Sequence, residues 1–265
     1  MSLRRAGYSL SLLFAAIGCT GSSPVRWETS QAVQGAGAEV TLTPAGGVVP
    51  DTLAVLASHL RAPAPACTGS LRLSRSGGRI FSVWWSPRTD STALLLSSVS
   101  NDSGRTWRQP ATVDSTDHGT IGCARTAPSI TADAASGYVH VSYAMQAAEG
   151  PGLFFAHSMD GGITFHTPVP ILYGERLGAT SVAASGDLVV VAFEDPGSRT
   201  PRIGLALSAT MGHIFENRVM PVSDDNSAAT QPIVAVNGRH ITVAWREWPL
   251  SSGPVVIRVR TGSLP

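Results

Sequence analysis

Four stretches of this chain repeat one another: Ile80-Phe81-Ser82-Val83-Trp84-Trp85, Tyr138-Val139-His140-Val141-Ser142-Tyr143, Leu188-Val189-Val190-Val191-Ala192-Phe193 and His240-Ile241-Thr242-Val243-Ala244-Trp245. Each is rich in β-branched residues, ends on an aromatic and places a Val two residues before it. The aromatics Trp85, Tyr143, Phe193 and Trp245 stand 58, 50 and 52 residues apart, near the roughly 40 to 50 residues of a propeller blade with some loop growth. A polar glycine turn precedes every stretch, at Ser76-Gly77-Gly78, Ser136-Gly137, Ser185-Gly186-Asp187 and Asn237-Gly238, as antiparallel hairpins require where φ is positive. Alternation with β-branched residues excludes a helical solenoid. The pattern predicts an all-β chain, a β-propeller of four-stranded antiparallel blades, with four blades countable and room for a fifth.

A second repeat follows the third strand of the first three blocks. Ser100-Asn101-Asp102-Ser103-Gly104-Arg105-Thr106-Trp107 and Ser158-Met159-Asp160-Gly161-Gly162-Ile163-Thr164-Phe165 share the pattern Ser-x-Asp-x-Gly-x-Thr-aromatic. Ser208 to Phe215 is a worn third copy with Thr210 in place of the Asp. The motif resembles the Asp box of sialidases and of BNR-repeat proteins, and the resemblance covers about residues 67 to 260. Its chemistry is local: the Asp accepts hydrogen bonds from turn amides, the Gly takes a φ that side chains avoid, and the aromatic packs back between strands. These residues are therefore assigned to the fold and not to a reaction.

The blocks run over about 67 to 115, 122 to 172, 174 to 222 and 228 to 260, and the last lacks its outer strand. Val25 to Val33 resembles the segments after the Asp boxes and is expected to supply that strand, closing the ring from the N-terminal side. Residues 34 to 66 read either as a worn blade with a strand over Glu39 to Thr43 or as a short helix from Asp51 to Leu60. Catalytic members of the sialidase group resemble six-bladed rings, so four clear blocks depart from their pattern.

The N-terminus reads as an export signal, residues 1–18, with Arg4 and Arg5 ahead of an apolar run that ends Ala16-Ile17-Gly18-Cys19. That ending resembles a bacterial lipobox, with Cys19 as the lipidated residue, 19–24 as linker and 25–265 as the propeller domain; a plain signal peptide is the alternative. Of the three cysteines, Cys67 and Cys123 then remain, and an oxidising compartment predicts a disulfide between them. A formal net charge of +1 excludes a basic field for nucleic acid. The expected setting is the cell envelope outside the cytoplasm, as a monomer touching the membrane only through its lipid, with a glycan or an envelope protein as partner. No cofactor is implied, and the seven histidines show no metal-ligand spacing.

Sialidases, by resemblance, use an arginine trio, a Tyr–Glu pair and an Asp around the ring's mouth. The segment that would carry the first arginine has no match, since Gly78-Arg79-Ile80-Phe81 lacks the proline and Pro201-Arg202-Ile203-Gly204 lies on a third strand. Arg125 and Arg176, just ahead of inner strands, are the candidate clamps, with Tyr173 and Glu175 beside Arg176. A further group follows the repeat aromatics: Glu194, Asp195, Arg246 and Glu247 occupy the same end of two neighbouring blades, suiting them to acid–base work, to glycan hydroxyls or to an inter-blade ion pair. Asp114, Asp117 and His118 share a loop. Trp245 is expected in the blade core and Trp248 as an exposed sugar contact. The sequence thus supports two readings: a propeller binding a glycan or protein through its mouth, and an exo-acting glycosidase of the sialidase superfamily.

Overall fold

Seventeen strands account for nearly all the regular structure in the computed structural model, which describes residues 23–33, 66–250 and 253–265. The alternatives for residues 34 to 66 therefore lie outside the described residues up to 65, as do the signal segment and Cys19.

The first blade consists of β3 (Arg72–Ser76), β4 (Arg79–Pro87), β5 (Ala93–Ser100) and β6 (Ala111–Asp114), hydrogen-bonded in that order. The second holds β7 (Ser129–Ala132), β8 (Val139–Ala147), β9 (Gly150–Ser158) and β10 (Val169–Tyr173), and the third β11 (Thr180–Ser185), β12 (Leu188–Glu194), β13 (Ile203–Ser208) and β14 (Asn217–Pro221). In the fourth, β15 (Ser227–Asn237), β16 (His240–Pro249) and β17 (Val256–Ser263) receive two short strands from the N-terminal side, β1 (Arg26–Trp27) and β2 (Gln31–Ala32). Arg26 lies opposite Ser263 and Trp27 opposite Gly262, while Gln31 and Ala32 lie opposite Val259 and Arg258. The N-terminal segment thus occupies the outer position of the last blade.

Why the four repeated stretches become second strands is visible in their burial. Side chains alternate across a strand; the second strands of the first three blades are buried along both faces, whereas in the fourth Ile241, Val243 and Trp245 are buried and the residues between them are not. Tyr143 and Phe154 join Trp85, Val83 and Leu95 in a core between the first and second blades. Ala144 and Phe155, one residue further on, join Phe193, Val191 and Phe215 between the second and third. Leu205, Val243, Trp245 and Val25 fill the space between the third and fourth.

Polar staples join successive blades at the inner strands. The Ser74 hydroxyl accepts from the Ala132 amide at 3.0 Å, Ser129 from Val182 at 3.0 Å and Ser181 from Val234 at 3.1 Å. The fourth blade carries Ile233, 68% exposed, where the second and third carry Ser129 and Ser181. The inner strands pack β3 on β7, β7 on β11 and β11 on β15, and among the described residues no packing of that extent, and no sheet hydrogen bond, joins β15 to β3. The N-terminal strand therefore completes a blade, while closure of the whole ring by hydrogen bonds is not found among the described residues.

The Ser-x-Asp turns are built as the motif suggests, with further bonds from the Ser and Thr hydroxyls to the Asp and from the Gly amide to the Ser. Asp102 accepts from the Thr106 amide at 2.8 Å and hydroxyl at 2.5 Å, while Ser100 accepts from the Gly104 amide at 2.8 Å. Asp160 repeats this with Thr164, at 2.9 and 2.6 Å, and Ser158 with Gly162, at 2.7 Å. These bonds to the ionised form hold both carboxyls down at about 2. Gly104, Gly162 and Gly212 have φ of 93°, 84° and 88°, which side chains rarely adopt. In the worn copy Thr210 accepts the Ile214 amide at 2.9 Å and shares a hydrogen bond with the Ser208 hydroxyl at 3.1 Å, and Ile214 stands where Thr106 and Thr164 donate hydroxyls. Asp and Thr have been lost together.

Cys67 and Cys123 form a disulfide with a Cα–Cα distance of 5.3 Å, tying the approach to β3 to the loop between β6 and β7.

Candidate functional site

Every inner strand begins at one end of the propeller, so the loops after the outer strands and those between second and third strands converge there. The strand starts surround an axial mouth of about 510 Å³. Arg72, Thr126, Ser129, Thr180 and Gln231 contribute polar groups, and Pro128 and Pro232 its apolar walls. Among the described residues no carboxylate lines it. Gln231 has a φ of 54°, at a register irregularity between Thr230 and Ile233, a conformation costing of order 1–3 kcal/mol unless its surroundings enforce it. Glu194 supplies one such restraint by accepting the Gln231 amide at 2.8 Å.

That bond connects the mouth to a second cleft. Arg176, Leu177, Gly178, Glu194, Asp195 and Pro201 line a hollow of about 290 Å³ at the same end of blade three. Gly178 permits the arrangement, since a Cβ there would lie 2.5 Å from the Glu194 Cβ. Asp195 accepts the Gly197 amide at 2.9 Å. Arg176 is exposed, and among the described residues its guanidinium enters no ion pair. One guanidinium and two carboxylates thus face a small open hollow without neutralising one another, which suits a ligand bearing both hydroxyls and charge.

Other residues singled out in the sequence lie elsewhere. Arg125 is not a clamp: it is enclosed by its own loop, paired with buried Asp117, donating to the Gly119 and Gly122 carbonyls and, at 3.2 Å, to Ser91. Tyr173 sits on outer strand β10 with its ring edge against Phe154, and Glu175 is exposed in the next loop, so neither reaches the axis. The four-residue rim group divides, because successive residues of a strand point opposite ways. Glu247 is buried and accepts from Trp245 Nε1 at 2.9 Å and from Arg258 at 2.7 and 3.0 Å. Its ion pair is within blade four, and among the described residues no inter-blade pair forms with Glu194. Arg246 turns outward over Trp248, 5.9 Å from the ring centroid, leaving that indole half-buried. Trp245 is core. Asp114 accepts the buried Tyr143 hydroxyl at 2.5 Å and His118 is exposed, so these loop residues assemble no acidic site.

Among the described residues no group of three or more His, Cys, Asp or Glu is arranged to hold a metal. Four histidines nevertheless gather at the opposite end of blade two. His157 lies 4.7 Å from His166 and 4.6 Å from His213 between centroids, and His140, fully buried, lies 6.5 Å from His157. Sequence reading missed them because they come from a strand pair and two turns. It missed Gln231 too, although Pro128 and Pro232 align in the repeats and mark the residues before them.

No protein-family model matches the chain, and no curated protein does. Among solved structures it is similar to an endosialidase of phage phi92, at a TM-score of 0.50 and 12% identity over 73% of this chain and 35% of that one. It is also similar to the polysaccharide lyase Uly1, at 0.46 and 9% over 74% and 45%. A third is Zg3597, a family 117 glycoside hydrolase of the marine bacterium Zobellia galactanivorans, at 0.42 and 17% over 73% and 60%. The chain spans less than half of the endosialidase and of the lyase. At these identities the likeness is one of fold, a blade-built propeller.

Proposed function

We propose that this chain is an extracytoplasmic, lipid-anchored propeller of the sialidase-like, Asp-box type that binds a glycan across its axial mouth and the adjoining Arg176 cleft. The observation that carries this reading is the pairing of a hydroxyl- and amide-lined mouth with a hollow whose Arg176, Glu194 and Asp195 are free of mutual ion pairs. A polar mouth with apolar walls offers directional bonds to hydroxyls and contact to sugar C–H faces. The phage phi92 protein is an endosialidase, a carbohydrate-active protein, in keeping with a glycan as the ligand class.

A glycosidase is the second reading, favoured by Glu194 and Asp195 lying side by side in the cleft, because glycoside hydrolysis generally uses two carboxyl groups flanking the scissile bond. Against it stand a mouth that no carboxylate lines among the described residues and the positions of Arg125 and Tyr173. Glycan-array screening of the mature chain, with Arg176→Ala and Glu194→Gln beside it, tests the binding reading. Both variants should lose glycan signal, and Arg176→Ala should do so at unchanged melting temperature because its side chain is exposed. Glycan signal equal in all three proteins, or none in any, refutes it. Turnover of a fluorogenic sialoside, lost in Glu194→Gln, would instead establish the hydrolase.

A further inference from the structure

We propose that the propeller face carrying the Ser-x-Asp-x-Gly turns rests against the membrane's lipid headgroups, so that the mouth and the Arg176 cleft point away from the bilayer. The proposal rests on the lipid-anchored reading and adds the surface by which the domain docks.

β1 determines where the tether leaves. Arg26 pairs with Ser263, and Ser263 also lies opposite His240, beside the hairpin between β15 and β16. The chain therefore joins the propeller at the hairpin end, whereas the mouth lies at the other end of the inner strands. Cys19 precedes Ser23 by four residues, a reach of at most about 14 Å. A six-residue strand is about 20 Å long. A lipid on Cys19 thus draws the hairpin end toward the bilayer, and so short a linker does not turn the mouth toward it.

The same end presents side chains suited to a headgroup layer. Met159, Ile163 and Ile214 are 47%, 47% and 60% exposed, all at the tips of turns in blades two and three. None is needed by the turn itself, whose packing comes from Phe165 and Phe215. Ile214 is informative, because it replaces the threonine that the two intact turns hydrogen-bond. Arg105 occupies the position of Ile163 in blade one, and Arg75 and Arg239 are exposed at hairpins of blades one and four. Aliphatic tips that insert shallowly, flanked by guanidinium groups that meet phosphates, form an interfacial surface. A diacylated Cys19 supplies two acyl chains and so holds the protein at the membrane by itself; this face sets how the domain lies on the surface.

The test uses the full chain processed in a bacterial host and reconstituted into phosphatidylethanolamine/phosphatidylglycerol vesicles carrying a spin-labelled lipid. Single cysteines at Ile163→Cys, Ile214→Cys and Arg199→Cys, the last in the mouth-side loop between β12 and β13, take an environment-sensitive fluorophore. Cys67 and Cys123, being disulfide-bonded, do not. The expected result is blue-shifted, quenched emission at positions 163 and 214 and neither change at 199. Mass spectrometry of the Cys19 peptide separates the two ways of failing. A lipid-free Cys19 overturns the anchoring reading together with this proposal. A lipidated Cys19 with unquenched labels at 163 and 214, or with quenching at 199, overturns the docking face alone.

Discussion

Acidification should weaken this propeller through one buried imidazole before its carboxylates titrate. His140 stacks on Phe155 at 5.8 Å between centroids, faces Tyr138, His157 and His213, and among the described residues has no hydrogen-bond partner at either ring nitrogen. Burial above all, with the positive form of His157 and then His213 adding to it and Asp133 opposing, lowers its pKa from 6.5 to about 4. The folded chain therefore binds fewer protons than the unfolded one between those values. The contribution of a neutral His140 is intact above pH 6.5 and is lost progressively as pH falls toward 4. For a single site with these two pKa values the loss is about 2 kcal/mol at pH 5 and about 3 kcal/mol at pH 4. Buried His157, also lowered to about 4, adds in the same direction. Urea melts of the mature chain at half-unit steps from pH 7.5 to 4 read this slope. His140→Val, which places in blade two the residue that blade three carries at Val190, is the matched control. The variant should flatten the profile between pH 6.5 and 4 whatever its absolute stability. A variant retaining the full slope, or a parent chain with no slope above pH 4.5, would refute the assignment.

Two further outcomes bear on how the blades are joined. Cys67→Ser with Cys123→Ser should lower stability by up to about 4 kcal/mol, as the denatured chain regains a loop 56 residues long; differential scanning calorimetry of oxidised, reduced and mutant chains checks it, and identical melting points would remove the tie as a source of stability. Ser181→Ala leaves the Val234 amide without its inter-blade acceptor and should cost about 1–2 kcal/mol. Ser185→Ala, whose bond to the Gly238 amide is exposed, should cost much less; equal losses would deny the inner staple its role.

The blades were legible because the information is local and repeated. A strand packed between neighbours must bury mostly apolar side chains and ends here on a bulky one, and four copies of that pattern recur from Trp85 to Trp245, buried on both faces in the first three and on one in the last. The Ser-x-Asp turns were legible for the same reason, since all their bonds fall within four residues. Even the outer strand from residues 25–33 could be read, because it repeats the segments after those turns.

The rim did not yield in the same way. Arg125 and Arg176 hold equivalent places ahead of inner strands, yet one is buried against Asp117 and the other is free, because the 115–128 loop is long enough to fold over its arginine and the 174–179 loop is not. Glu194 and Glu247 follow equivalent aromatics, but Arg258 on the adjacent strand captures the second and leaves the first to reach Gln231, 37 residues away. Repetition along the chain was enough to specify the blade. Which rim groups remain unpaired depends on partners brought together from non-repeating loops, and only packing the blades side by side decides that.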